Sequence, residues 1–217
     1  MKSLLILVAA LALSSTAAAQ QDRDQMWEFG VLINDMSSES LSGEMGSSLD
    51  IDGSTGYGLS LGYNFTNRLS LSGEFSWNTP DYKAVIVPDN GIGLPQVIDY
   101  ELDVFSYSLK GTFNLLEGPI TPFLEAGFGW TEIDSNIADQ PPTTGCWWDP
   151  WWGYVCDTFY STYSKTREGY SYAGGVRFDM NNGMTLKASY GVQEISTSKA
   201  TEDASLDIIR VDLNWRF

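Results

Sequence analysis

Apolar and polar residues alternate with a period of two in eight segments of about ten residues, the length a tilted strand needs to cross a hydrocarbon layer. The cleanest is 55–66, where Tyr57, Leu59, Leu61, Tyr63 and Phe65 alternate with Gly58, Ser60, Gly62 and Asn64. The same pattern predicts strands over 26–34, 69–78, 105–115, 122–131, 170–179, 184–193 and 208–217. Phe123 is an exception, a large ring on the polar side of its segment. The connections alternate too: long ones at about 35–54, 79–99, 133–168 and 196–204, short ones at about 66–68, 116–120 and 180–183. Thr66-Asn67-Arg68, Glu117-Gly118-Pro119 and Asn181-Asn182-Gly183 supply residues suited to tight bends. Antiparallel strands joined in this way place every long loop at one end, and every short turn with both termini at the other. The predicted fold class is therefore all-β, an eight-stranded antiparallel up-and-down transmembrane β-barrel.

Eight strands also make soluble barrels that hold a ligand on an apolar inner face. Here the apolar face is too bulky for so small an interior, whereas its opposite is rich in Gly and Ser. Turned outward, the aromatic residues form two girdles, Trp27, Phe65, Phe113, Phe178, Trp215 and Phe217 at one rim, and Tyr57, Trp77, Phe105, Trp130 and Tyr170 at the other. Closure is required, because an open sheet edge in lipid leaves backbone groups unpaired.

The pattern resembles that of the small outer-membrane β-barrel family of the OmpA and OmpX type. The resemblance rests on Pro122-Phe123-Leu124-Glu125-Ala126-Gly127-Phe128-Gly129 and on the alternating tail Val211, Leu213, Trp215, Phe217. It implies a location in the outer membrane with periplasmic termini, outer-membrane lipid as surroundings, and recognition of Trp215 and Phe217 by the barrel-assembly machinery. A peptidoglycan-binding domain is not implied.

The chain opens with Lys2, an apolar run from Leu4 to Leu13, and small residues up to Ala19. This is the form of a signal peptide over 1–19, too short to anchor as a spanning helix, which leaves a barrel domain over 20–217. The net charge of −16, without His, excludes nucleic acid as a partner. The acidic excess falls mostly in the predicted loops, where it serves solubility. The lack of His also removes the usual proton relays, so no enzyme is expected, nor any cofactor or metal.

On the inward face, Glu74, Lys110, Glu125, Arg177, Lys187, Arg210 and Asp212 are expected at similar heights as one belt of mixed charge, with Glu28, Asp179 and Arg216 nearer the periplasmic mouth. Paired acids and bases would plug the lumen. The alternative is a gate that makes the barrel a narrow passive channel for water, ions or small solutes. Cys146 and Cys156, the only cysteines, are expected to join in the oxidising periplasm, since two thiolates alone fill only half a zinc shell. The bridge is worth about 3 kcal/mol by chain-entropy reasoning and would hold Trp147, Trp148, Trp151, Trp152 and Tyr154 in a compact hairpin. Two readings stay open for it: contact with an extracellular protein, glycan or phage, or packing of the rings on themselves. The expected role is that of a monomeric barrel with a structural or adhesin-like function.

Overall fold

The computed structural model describes residues 22–42, 46–86, 96–139, 141, 143–159, 161–180, 182–197 and 203–217. The expected leader, Gln20 and Asn181 lie outside the described residues. In chain order the strands are β1 (Trp27–Met36), β2 (Glu39–Ser42), β3 (Ser48–Ile51), β4 (Ser54–Asn64), β5 (Leu69–Asn78), β6 (Asp81–Ile86) and β7 (Gln96–Glu101). They continue with β8 (Asp103–Asn114), β9 (Ile120–Ala138), β10 (Thr143–Asp149), β11 (Gly153–Phe159), β12 (Thr162–Asp179), β13 (Met184–Ile195) and β14 (Ala204–Arg216).

Eight of these close a barrel in the order β1, β14, β13, β12, β9, β8, β5, β4, each antiparallel to its neighbours. The seam pairs β1 with β14, from Glu28 opposite Arg216 to Met36 opposite Ile208. Trp27 and Phe217 finish it by exchanging backbone hydrogen bonds of 3.0 Å in both directions. Each barrel strand contains most of its predicted segment, because alternation over ten residues specifies both the strand and its register.

The faces are sorted as expected for a barrel wall in lipid. Leu61 and Leu109 are half exposed on the outside, whereas Arg177 is 0% and Arg210 7% exposed inside. Around one rim, rings touch in an unbroken arc over five strands: Tyr57 to Trp77 at 5.7 Å, Trp77 to Phe105 at 5.4 Å, then Tyr107, Trp130, Phe128 and Tyr170. Phe123 is a true inward ring, 1% exposed. It fits because the cross-strand neighbour is glycine: a Cβ on Gly175 would lie 2.7 Å from the Phe123 ring.

The long connections differ from the expectation. Two of them hold β2, β3, β6 and β7, which pair into a four-stranded sheet through contacts such as Ser48 with Val85. In the third, β9 and β12 continue far beyond the membrane segment, and a separate hairpin of β10 and β11 stands at their tip. Sequence reading took these for loops because strands of four to seven residues show too little alternation to register. The sheet is tied to the barrel on both sides: next to edge strand β2, Ser37 N donates to Asp207 O at 2.9 Å; at the other edge, Asn136 Nδ2 donates to Glu101 O of β7 at 3.1 Å, and Tyr82 Oη of the adjacent β6 donates to Ser135 O at 3.3 Å. The barrel thus continues at its loop end as a taller β-walled cup.

Candidate functional site

Three regions hold the side chains with chemical potential: the lumen, the cup above it and the β10–β11 hairpin. The lumen charges are two linked clusters and not the single belt expected. In the upper one, Arg210 reaches Glu74 at 2.9 Å, Glu125 at 2.9 Å and Asp212 at 3.0 Å, while Lys110 adds a bond of 2.7 Å to Glu74. Thr112 donates to the other Glu125 oxygen at 3.1 Å.

Arg177 belongs to the lower cluster. It pairs with Glu28, through a very short contact, and with Asp179 at 3.0 Å. Lys187, 3.8 Å from Glu28 and opposite Asp212 across β13 and β14, joins this cluster to the upper one, so Arg177 alone is out of the expected place. The misplacement has a geometric cause. Strands in a barrel are tilted and staggered, so residues counted equally from their turns do not share a height.

Arg23, which precedes β1 in a short charged stretch without periodicity, was not foreseen. It is fully buried and clasps the turn end, bonding Asp179 at 2.6 Å, Gly118 O at 2.6 Å and Asn67 O at 3.0 Å. Burial, together with the nearby Arg177 guanidinium, lowers its pKa from the usual arginine value, while Asp179 opposes the shift. Arg216 lies 3.9 Å from Asp179 at the same mouth.

Six cations and five carboxylates therefore meet inside the barrel, half of the 12 basic residues of a chain whose net charge is −16. The interior is close to neutral and the acidity lies outside. Among the described residues, a lumen space of about 10 Å³ lies between the clusters, and spaces of about 20 and 40 Å³ lie at and above the upper one. Spaces of that size hold single waters, or a few.

Above the upper cluster the interior changes character. On β1, Ile33 faces out and Asn34 in, but one step higher Asp35 faces out and Met36 in. The same inversion follows Trp130 and Thr131 on β9, where exposed Glu132 gives way to partly buried Ile133. It recurs on β13 at exposed Glu194 and buried Ile195, and on β14 at exposed Asp207 and buried Leu206. Met36, Ile195, Ala204 and Leu206 form an apolar cluster, joined by Leu41 and Ile133. Leu49, Ile51, Pro80, Leu102 and Val104 extend this lining around a cavity of about 280 Å³. Sequence reading missed this vestibule entirely, and only the sign change of the alternation could have revealed it.

The hairpin is closed as expected. Cys146 and Cys156 are cross-strand partners, 4.0 Å apart at Cα, and are joined by a disulfide. The reversal covers Pro150 to Trp152, after which Gly153 takes a left-handed φ of 78° that favours glycine. Trp148 and Tyr154 face each other across the strands, 68% and 74% exposed, and Trp151 at the tip is 81% exposed with Trp152 close behind. The Trp147 side chain lies outside the described residues. At the opposite end of the molecule, Trp215 and Phe217 sit on the outer surface of β14 and just beyond it.

The closed eight-stranded wall with lipid-type outer residues narrows the choice of family, and the sequence decides it: residues 5–217 match the model of the outer membrane protein β-barrel domain. The chain belongs to that family. Among solved structures, this outer-membrane barrel is similar to Neisserial surface protein A, with a TM-score of 0.54 at 15% identity, covering 87% of this chain and 97% of the other. It is also similar to the outer membrane protein OprG from Pseudomonas aeruginosa, with a TM-score of 0.56 at 11% identity, covering 91% and 98%. At such identities the likeness concerns the fold. Comparison with curated proteins returns no match.

Proposed function

We propose that this outer-membrane barrel acts as a structural and surface-contact protein, oriented with the loop end outside the cell and the chain ends in the periplasm. The observation that supports this best is the contrast between the closed lumen and the projecting hairpin. Ion pairs and Phe123 fill the way through, while Trp148, Trp151, Trp152 and Tyr154 stand exposed at the far tip on a disulfide-fixed turn. Rigid aromatic side chains lose little entropy on contact and dominate binding hot spots, so a protein or glycan surface is a fitting partner. The barrel acts as a non-catalytic monomer, delivered by its leader and inserted through recognition of Trp215 and Phe217 by the assembly machinery.

The test is adhesion of cells carrying the intact protein or a variant with Trp147, Trp148, Trp151 and Trp152 replaced by Ala. At equal surface abundance, the expected result is a loss of attachment with an unchanged barrel. Unchanged attachment with reduced heat resistance would show that the rings serve only to pack on one another. Planar-bilayer recordings provide the second arm. Steady currents that vanish when Lys110 or Glu125 is neutralised would replace the proposal with a channel.

A further inference from the structure

Charge narrows what the hairpin can hold. On one face of the ribbon Thr144, Cys146 and Trp148 lie across from Thr158, Cys156 and Tyr154, all six exposed. None of the six is Asp, Glu, Lys or Arg, and the two rings form the outer end of the face, with the bridge behind them. The charge around them has one sign. Between Asp134 and Lys165 the chain has Asp139, Asp149 and Asp157 and no basic residue. Asp149 is the chain neighbour of Trp148 and Asp157 that of Cys156, close enough that a screening length of about 8 Å at physiological ionic strength does not remove their field. The wider surface agrees. Of the 28 acidic residues, five lie in the lumen, Asp22, Asp24 and Glu117 lie at the turn end, and Glu44, Asp89 and Glu202 fall outside the described residues; the other 17 sit at the loop end. Lys83, Lys165 and Arg167 are the basic residues there among the described ones, and Lys83 stands in register between Asp50 and Asp99.

We infer, on the footing of the surface-contact role above, that the hairpin holds an arginine- and lysine-rich segment of another protein, drawn in by the acidic loop end and seated with its cations over Trp148 and Tyr154. An aromatic ring is negative over its face, so ring and field agree in repelling an anion and attracting a cation. A neutral sugar also stacks on such rings but gains nothing from the field. A small cation meets one ring or one carboxylate at a time, whereas a basic chain meets several together. Arginine suits the place best, because its plane lies flat on a ring while its donors reach outward to carboxylates. The bridge and the turn at Gly153 hold the two rings side by side before contact, which leaves less to be ordered on binding.

Fluorescence anisotropy of labelled peptides with the full protein in zwitterionic phospholipid nanodiscs tests this, with empty nanodiscs as blank. The probes alternate Gly with Arg, with Lys or with Glu. The Arg peptide is expected to bind saturably and more tightly than the Lys peptide, and the Glu peptide not at all. Trp148→Leu with Tyr154→Leu keeps apolar area on an exposed face but removes the ring faces, and is expected to weaken the Arg peptide about tenfold. Asp149→Asn with Asp157→Asn is expected to weaken it about threefold in dilute salt and less at physiological salt. Arg-peptide binding no greater than the blank would overturn the inference. So would equal binding of the Arg and Glu peptides, or equal binding by the wild type and the Leu variant. Cell attachment separates this from the role it rests on. Attachment that needs the Trp rings, yet is blocked by a neutral oligosaccharide and not by the Arg peptide, would overturn the cationic partner and leave the surface-contact role standing. Attachment that does not need the rings would overturn that role, and this inference with it.

Discussion

Two interiors are stacked in one β-wall. The lower is ionic and full, with six cations paired to five carboxylates; the upper is aliphatic and hollow around about 280 Å³. The same strands build both, so the difference does not lie in the backbone. It lies in what touches the outer surface. Beside lipid the apolar residues must face out and the polar ones are confined within. Once the strands rise above the aromatic arc, water bathes the wall and the alternation changes sign, as in any soluble sheet that buries one face. The switch between Ile33–Asn34 and Asp35–Met36 on β1 marks that boundary within a single residue step.

The comparison breaks most readily in the lower interior. Replacing Arg210 by Met strands Glu74, Glu125 and Asp212 with less positive charge, and removing one partner of a buried ion pair typically costs about 3–5 kcal/mol. Urea unfolding in lipid vesicles should show a loss of that order, and a loss below about 1 kcal/mol would mean that waters or Lys110 compensate and the cluster is not a tight plug.

In the upper interior, Leu206→Ala is expected to cost about 2 kcal/mol, the low end for such changes, because the site already borders a hollow into which neighbours can relax. Hydrogen exchange should locate the effect in the upper turns of β13 and β14 and leave the lumen protected. If the two interiors are independent, the double variant should lose the sum of the single losses to within about 0.5 kcal/mol.

The smallest effect concerns the seam between cup and barrel. Tyr82→Phe removes the bond to Ser135 and is expected to cost about 1 kcal/mol. Burial raises the Tyr82 phenol above its ordinary value, so the folded state holds this proton more firmly than the unfolded chain does. The associated stability is complete below about pH 10 and is lost as pH climbs through the folded value. Alkaline titration of cup stability should therefore be flatter in the Phe variant than in the wild type.

Legibility in the sequence followed the same division. The membrane strands could be read because lipid enforces one sidedness over ten residues, and the inward placement of Glu74, Lys110 and Arg210 came with it. Their pairing could not be read, since tilt and stagger decide which residues meet and separated Arg177 from Arg210. Arg23 gave no signal, being a charged residue in a charged stretch. The vestibule was hidden for another reason: Leu41 and Leu49 face each other on strands of only four residues, Leu102 lies in the step between β7 and β8, and the pattern there runs with the opposite sign.

The β1–β14 seam also has a bearing on how the protein comes to be. Every other barrel pair joins strands that follow one another along the wall, so each can form soon after its two members are made. The last pair unites the two ends of the chain, and contacts that cross it, such as Arg177 with Glu28 and Arg210 with Glu74, must wait for it. Closing so long a span is entropically slow. Until it happens two raw edges stay open and the lumen charges lack their counterparts. Maturation should therefore end in one late, concerted event, in which zipping the edges and neutralising the interior are a single kinetic step.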